Sequence, residues 1–106
     1  MNRKLHDSLF ELYISGGLEL ALQGVSGCKR DLIIDLEMSG LSPEMGDIIH
    51  FYAVNRWDEN VFDEWAKPSR PLSPEAEKIT GTTNERLVHC RPTSVVLEDF
   101  LAFLDG

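Results

Sequence analysis

Apolar side chains recur along this chain with two different periods, and the change of period divides it. Near the start, Leu5, Leu9, Leu12 and Tyr13 fall at helical spacing. Gly16-Gly17 interrupts that pattern, Leu18 to Leu22 resumes it, and Gly24 and Gly27 loosen it again. This reads as an amphipathic helix, a break and a second short element. From Leu32 the pattern changes. Leu32-Ile33-Ile34 opens a run that is short, rich in isoleucine and stopped by Ser39-Gly40, which predicts a strand over 32–37. Ser42-Pro43 marks a turn. Ile48 to Val54 is apolar at successive positions, as expected of a central strand covered on both faces. Trp57-Asp58-Glu59-Asn60 is a polar reversal, and Val61 to Ala66 returns as a third strand, making a hairpin.

The second half has helical signals. Ser73 is placed to cap a helix with Pro74 at its first position, where a missing N–H costs nothing. Gly81 fits the stop. Thr82 and Glu85 have the spacing of a capping box. Thr93 starts a last helix after Pro92, with Val96, Leu97, Phe100, Leu101 and Leu104 along one side. The expectation is an α/β fold, a three-stranded sheet followed by helices. Residues 1–30 form a helical N-terminal extension and residues 31–106 the domain proper.

Composition narrows the function. A chain of 106 residues with 42% hydrophobic residues can build one modest core. No apolar run is long enough to span a bilayer, and the first residues lack the pattern of a secretory signal. Cys28 and Cys90 are far apart and form no CxxC, so they read as free thiols in a reducing, cytoplasmic setting. The formal net charge of −8 argues against a simple electrostatic nucleic-acid binder. It leaves room for an enzyme that gathers carboxylates around divalent metal ions, because the metal then supplies the local positive charge.

The strand over 32–37 carries the candidate chemistry. Residues two apart on a strand share a face, so Asp35 and Glu37 stand side by side. Two repelling carboxylates on an apolar strand need an offset. Hard divalent cations such as magnesium or manganese provide one through oxygen ligands. A pair of such ions about 4 Å apart is an arrangement for phosphoryl hydrolysis. The plainer reading is a solvated polar face. Against it, an exposed strand should alternate, and 32–34 does not.

A longer pattern bears on the choice. "LIIDLEMSGLSPEMGDIIHFYAV", with "FDEWAKPSRPLSPEAEKITGTTNERL" after it, resembles the first half of a DEDD-superfamily 3'–5' exonuclease. The type is DnaQ-like, the proofreading exonuclease of bacterial replicative polymerases (the epsilon-subunit and PolC kind). The resemblance runs from about Asp31 to Gly106. It implies a partial ribonuclease-H-like fold, with Asp35 and Glu37 as catalytic metal ligands for Mg2+ or Mn2+. It places Met38, Ser39 and Gly40 against the 3'-terminal nucleotide of a single DNA or RNA strand. Leu41 would lie near the base, and Thr80, in Ile79-Thr80-Gly81-Thr82-Thr83, would approach the strand.

Two positions depart from the family. Ser39 stands where threonine is usual and keeps the hydroxyl. His50 stands where an acidic or amide residue is usual and reads as a polar spot on a mostly buried strand. Asn60-Val61-Phe62-Asp63 resembles the family's second motif but lies too close to Glu37, so Asp63 fits the third strand instead. His89, Cys90 and Cys28 lack the spacing of a zinc cluster. The family's further aspartates and its histidine base lie beyond "FLAFLDG". Two outcomes are therefore expected. One is an exonuclease fragment inactive by itself, acting beside a polymerase-associated protein. The other is a non-catalytic interaction module, such as a homodimer joined through exposed sheet edges and helix faces.

Overall fold

The structure, a computed structural model, describes residues 3–15, 32–55 and 59–105. Helix α1, Arg3–Ser15, precedes three strands: β1 (Leu32–Met38), β2 (Ile48–Asn55) and β3 (Val61–Trp65). Three helices follow: α2 (Pro74–Thr80), α3 (Asn84–Leu87) and α4 (Thr93–Asp105). The strands form one antiparallel sheet in the order β1-β2-β3, so β2 is central as its apolar run implies. This is the expected α/β arrangement, a partial ribonuclease-H-like fold with an N-terminal helix. The expected second element within 16–30 and the 30/31 boundary lie outside the described residues, as do Trp57 and Asp58 of the 57–60 reversal.

Register divides the sheet into two faces. Ile34, Leu36, Phe51, Ala53 and Phe62 point one way and meet α4. There Phe100 has its ring centroid 5.2 Å from Phe51 and 5.4 Å from Phe62. Val96, Leu97 and Leu104 complete that layer, as the helical spacing predicts. Ile33, Asp35, Glu37, His50, Tyr52, Val54, Val61, Asp63 and Trp65 point the other way. Between Glu37 and Met38 the register slips: Glu37 opposes His50 but Met38 opposes Ile48. Ile49 is the extra residue, and it packs with Leu72 and Leu87 in a smaller second cluster.

Helix α1 joins the main core through Leu9 and Phe10. Its buried stripe is His6, Leu9 and Phe10, with Tyr13 packed at its end. Leu5, expected on that stripe, is 48% exposed, and the fully buried position belongs to His6. The reason is polar: the Ile48 N–H donates to His6 Nε2 at 3.0 Å. The ring proton is therefore on Nδ1, which faces Asp7 Oδ1 at 2.9 Å. A histidine here satisfies a buried backbone donor that a leucine would orphan.

The helix signals of the second half hold, with one shift. Ser73 accepts from the Ala76 N–H, Pro74 opens α2, and Gly81 closes it in the left-handed region at φ 73°. The cap of α3 is Thr83 rather than Thr82: Thr83 Oγ1 accepts from the Arg86 N–H at 3.2 Å. Thr82 is buried instead. The shift follows from Asn84, whose N–H donates to Glu77 Oε2 and whose side chain bonds both main-chain groups of Leu72. Those bonds tie α3 to α2 one residue later than spacing alone suggests.

Candidate active site and substrate cleft

The two candidate carboxylates share the open face of β1. Asp35 opposes Tyr52, which opposes Asp63; Glu37 opposes His50, which opposes Trp65. Two polar rows thus cross the sheet. His50 Nε2 lies 2.7 Å from Asp63 Oδ1, and its ring stacks on Trp65 at 4.2 Å with 10° between planes. The Arg86 guanidinium covers the Trp65 ring at 5.2 Å. His50 and Asp63 are therefore engaged with each other.

Although 32–34 is apolar at successive positions, burial along β1 alternates. Asp35 and Ile33 are exposed and Glu37 is half-buried. Strand β1 lies at the edge of the described sheet, so Leu32 and Ile34 are half-buried toward the core and Ile33 is exposed on the other side. The electrostatic problem sits instead on one atom. Glu37 Oε2 is buried and has no hydrogen-bond partner among the described residues. A buried carboxylate oxygen without a donor suits a cation. The fit is limited: no group of three or more His, Cys, Asp or Glu that could hold a metal ion occurs among the described residues. Cys90 is a free, half-buried thiol outside any such group, and Cys28 lies outside the described residues.

Asp35 has a partner that sequence spacing did not point to. The Tyr13 hydroxyl donates to Asp35 Oδ1 at 2.8 Å. Burial, then the bond to Asp35, push the Tyr13 phenol above its ordinary value, against the opposing pull of the Leu36 backbone at the same oxygen. The phenol therefore stays a proton donor near neutral pH. In the sequence Tyr13 stands out only as the last member of the helical pattern Leu5, Leu9, Leu12 and Tyr13.

Directly after Glu37 the chain enters a loop over 39–47 that forms one wall of a cleft of about 420 Å³. Met38, Ser39, Gly40 and Leu41 line this cleft, and Thr80 lines it from α2. All five residues expected to meet a nucleotide thus border one space. Leu41 (87% exposed), Met45 (68%) and Ile79 (84%) form an apolar mouth. Two hydroxyls are already engaged. Ser39 Oγ accepts from the Asp47 N–H at 2.8 Å, and Thr80 Oγ1 donates to Ala76 O at 2.7 Å.

The loop is closed at its neck by backbone contact. A Cβ on Gly46 would lie 2.3 Å from Gly40 N, and one on Gly40 would lie 2.8 Å from Met45 O. Arg3 of α1 fastens the same loop: it donates to Asp47 Oδ1, Pro43 O and Gly46 O. Asp47 is buried and also accepts from the Ser69 N–H at 2.6 Å. Burial alone would raise its carboxyl; the Ser69 donor and the Arg3 guanidinium outweigh this and hold it below the usual aspartate value.

The structure thus joins a three-stranded antiparallel sheet, an acidic pair on its first strand and a cleft walled by the loop that follows. The chain belongs to the RNase T family of exonucleases, whose model matches residues 32–106. Among relatives, a DNA polymerase III PolC-type of Thermotoga petrophila is 39% identical over 78 residues, 71% of this chain and 6% of that protein. Its counterpart in Thermotoga maritima is 33% identical over 103 residues, 90% of this chain and 8% of that protein. One from Streptococcus pneumoniae is 33% identical over 75 residues, 68% of this chain and 5% of the relative. The chain thus spans under a tenth of the curated relatives it matches. No helix among the described residues is long and apolar enough to cross a membrane.

Proposed function

We propose that residues 31–106 are the first part of a metal-dependent 3'–5' exonuclease unit and that residues 1–30 are an added segment carrying α1. The reaction is hydrolysis of the 3'-terminal phosphodiester of a single DNA or RNA strand, in the cytoplasm beside a polymerase. One observation carries the reading: the orphaned, buried Glu37 Oε2 belongs to the residue just before Met38, which with Ser39, Gly40, Leu41 and Thr80 borders the cleft. Asp35 and Glu37 would hold Mg2+ or Mn2+, which supplies Lewis-acid stabilisation and an activated water. The apolar mouth at Leu41 suits a base face, and the backbone of 38–40 suits the terminal sugar. With only two carboxylates together, remaining ligands must come from water, phosphate oxygens or further protein groups. The isolated chain is therefore expected to bind a 3' end but not to cleave it.

The test uses the whole chain, 3'-labelled single-stranded DNA and RNA, and Mn2+. Binding by anisotropy should need Mn2+, vanish in Asp35→Ala, and weaken in Leu41→Ala by about 1–3 kcal/mol, the usual worth of a lost stacking contact. Binding indifferent to both Mn2+ and Asp35→Ala would overturn the nuclease reading. Cleavage that disappears in Asp35→Ala would keep the function and overturn the inactivity.

A further inference from the structure

The acidic pair has a neighbour that belongs to neither the sheet nor the cleft. Tyr13 reaches β1 from α1, across a stretch of chain outside the exonuclease family match. Its hydroxyl donates to one oxygen of Asp35, Oδ1, at 2.8 Å. The other oxygen, Oδ2, is not part of that bond. The hydroxyl oxygen also faces the Leu36 backbone. The phenol is thus held between the main chain of β1 and the Asp35 carboxylate.

The rest of α1 makes this placement firm. Tyr13 lies seven residues after His6, on the same side of the helix, and His6 is fully buried on the Ile48 N–H. Arg3, one turn earlier, bonds the 39–47 loop at Asp47, Pro43 and Gly46. Leu9 and Phe10 are embedded in the main core between these anchors. An exposed aspartate on an edge strand would otherwise sample several rotamers. Here one oxygen is fixed by a helix docked along its length.

We propose that Tyr13 is a positioning residue: by bonding Asp35 Oδ1 it fixes the carboxylate so that Oδ2 is presented, with Glu37 Oε2, to a divalent cation. The inference rests on the metal reading given above. Groups that bond a ligand from behind orient it, and losing one typically costs about 10–100-fold in metal affinity. A plain edge-covering role for Tyr13 predicts no such loss. A blocking role, in which the phenol occupies the cation's place, predicts a gain.

The experiment titrates Mn2+ alone into the full chain and reads free ion by electron paramagnetic resonance. Wild type is compared with Tyr13→Phe, which keeps the ring and removes the hydroxyl, and with Asp35→Asn. The expected result is affinity weakened at least about tenfold in Tyr13→Phe and abolished in Asp35→Asn, with little change in the melting temperature of either. Unchanged or tighter binding in Tyr13→Phe, while Asp35→Asn still abolishes it, overturns the positioning role and leaves the metal reading standing. Binding that survives Asp35→Asn overturns both. A second measurement needs no variant: nuclear Overhauser contacts between the Tyr13 ring and the Leu36 amide should persist when wild type is saturated with Mg2+. Their loss on saturation would show that the phenol leaves, and the proposal falls.

Discussion

The two faces of the sheet are built from the same three strands and do opposite work. One face carries Leu36, Phe51, Ala53 and Phe62 and is sealed by α4. The other carries Asp35, Glu37, His50, Tyr52 and Asp63, and its strand β1 is open enough to leave Ile33 48% exposed. On the sealed face each side chain is held by shape, and removing atoms costs packing. On the open face side chains are held by specific polar bonds, and removing atoms should cost function more than stability. The difference teaches where this small domain keeps its stability and where it can place repelling carboxylates.

The largest break should come from removing residues 1–30. That uncovers the core around Leu9 and Phe10 and strips the buried Ile48 N–H of its acceptor, so the remaining chain should aggregate. An equally stable, soluble 31–106 chain in urea denaturation would refute the covering role of α1. Next, Phe100→Ala should cost about 3–5 kcal/mol, because its ring touches both Phe51 and Phe62. Asp47→Ala should cost about 2 kcal/mol through the lost Arg3 and Ser69 bonds.

That third effect has a pH signature. The folded Asp47 carboxyl titrates below its ordinary value of 3.8, so on acidification the unfolded chain takes up the proton first. The gap between wild type and Asp47→Ala should be full above the ordinary value and close as pH falls through the lower, folded one. Urea midpoints measured between neutral and acid pH would check it. Smaller still, Ser73→Ala should cost about 1 kcal/mol through loss of the α2 cap. Smallest of all, Asp35→Asn on the open face should change stability by no more than about 0.5 kcal/mol. A loss as large as that of Phe100→Ala would erase the distinction between the faces.

Legibility followed the same division. The sealed face was readable, because burial writes itself as periodicity: Val96 to Leu104 marked α4, and Ile48 to Val54 marked the central strand. The cleft-lining residues were readable by family resemblance alone, since Met38 to Leu41 and Thr80 are far apart in sequence. The polar links were not readable. Nothing in spacing says that His6 rather than Leu5 is buried, that Arg3 fastens the loop before Asp47, or that Tyr13 reaches Asp35. Each depends on one donor finding one acceptor more than twenty positions away. The cap of α3 moved by one residue for the same reason, because Asn84 answers to Leu72 and Glu77.

The contact between Gly40 and Gly46 sets a rule for how this cleft can change. The loop that walls it has a neck of two backbones touching, with space for neither a methyl group nor anything larger. Neither glycine can therefore take a side chain without moving the loop. Any drift in preference has to be written at the mouth, in Leu41, Met45 and Ile79, whose side chains are mostly in solvent and carry little of the fold. The molecule thus separates a tight main-chain neck from an adjustable lip, and a library that varies those three lip positions should alter what the cleft accepts while leaving the domain folded.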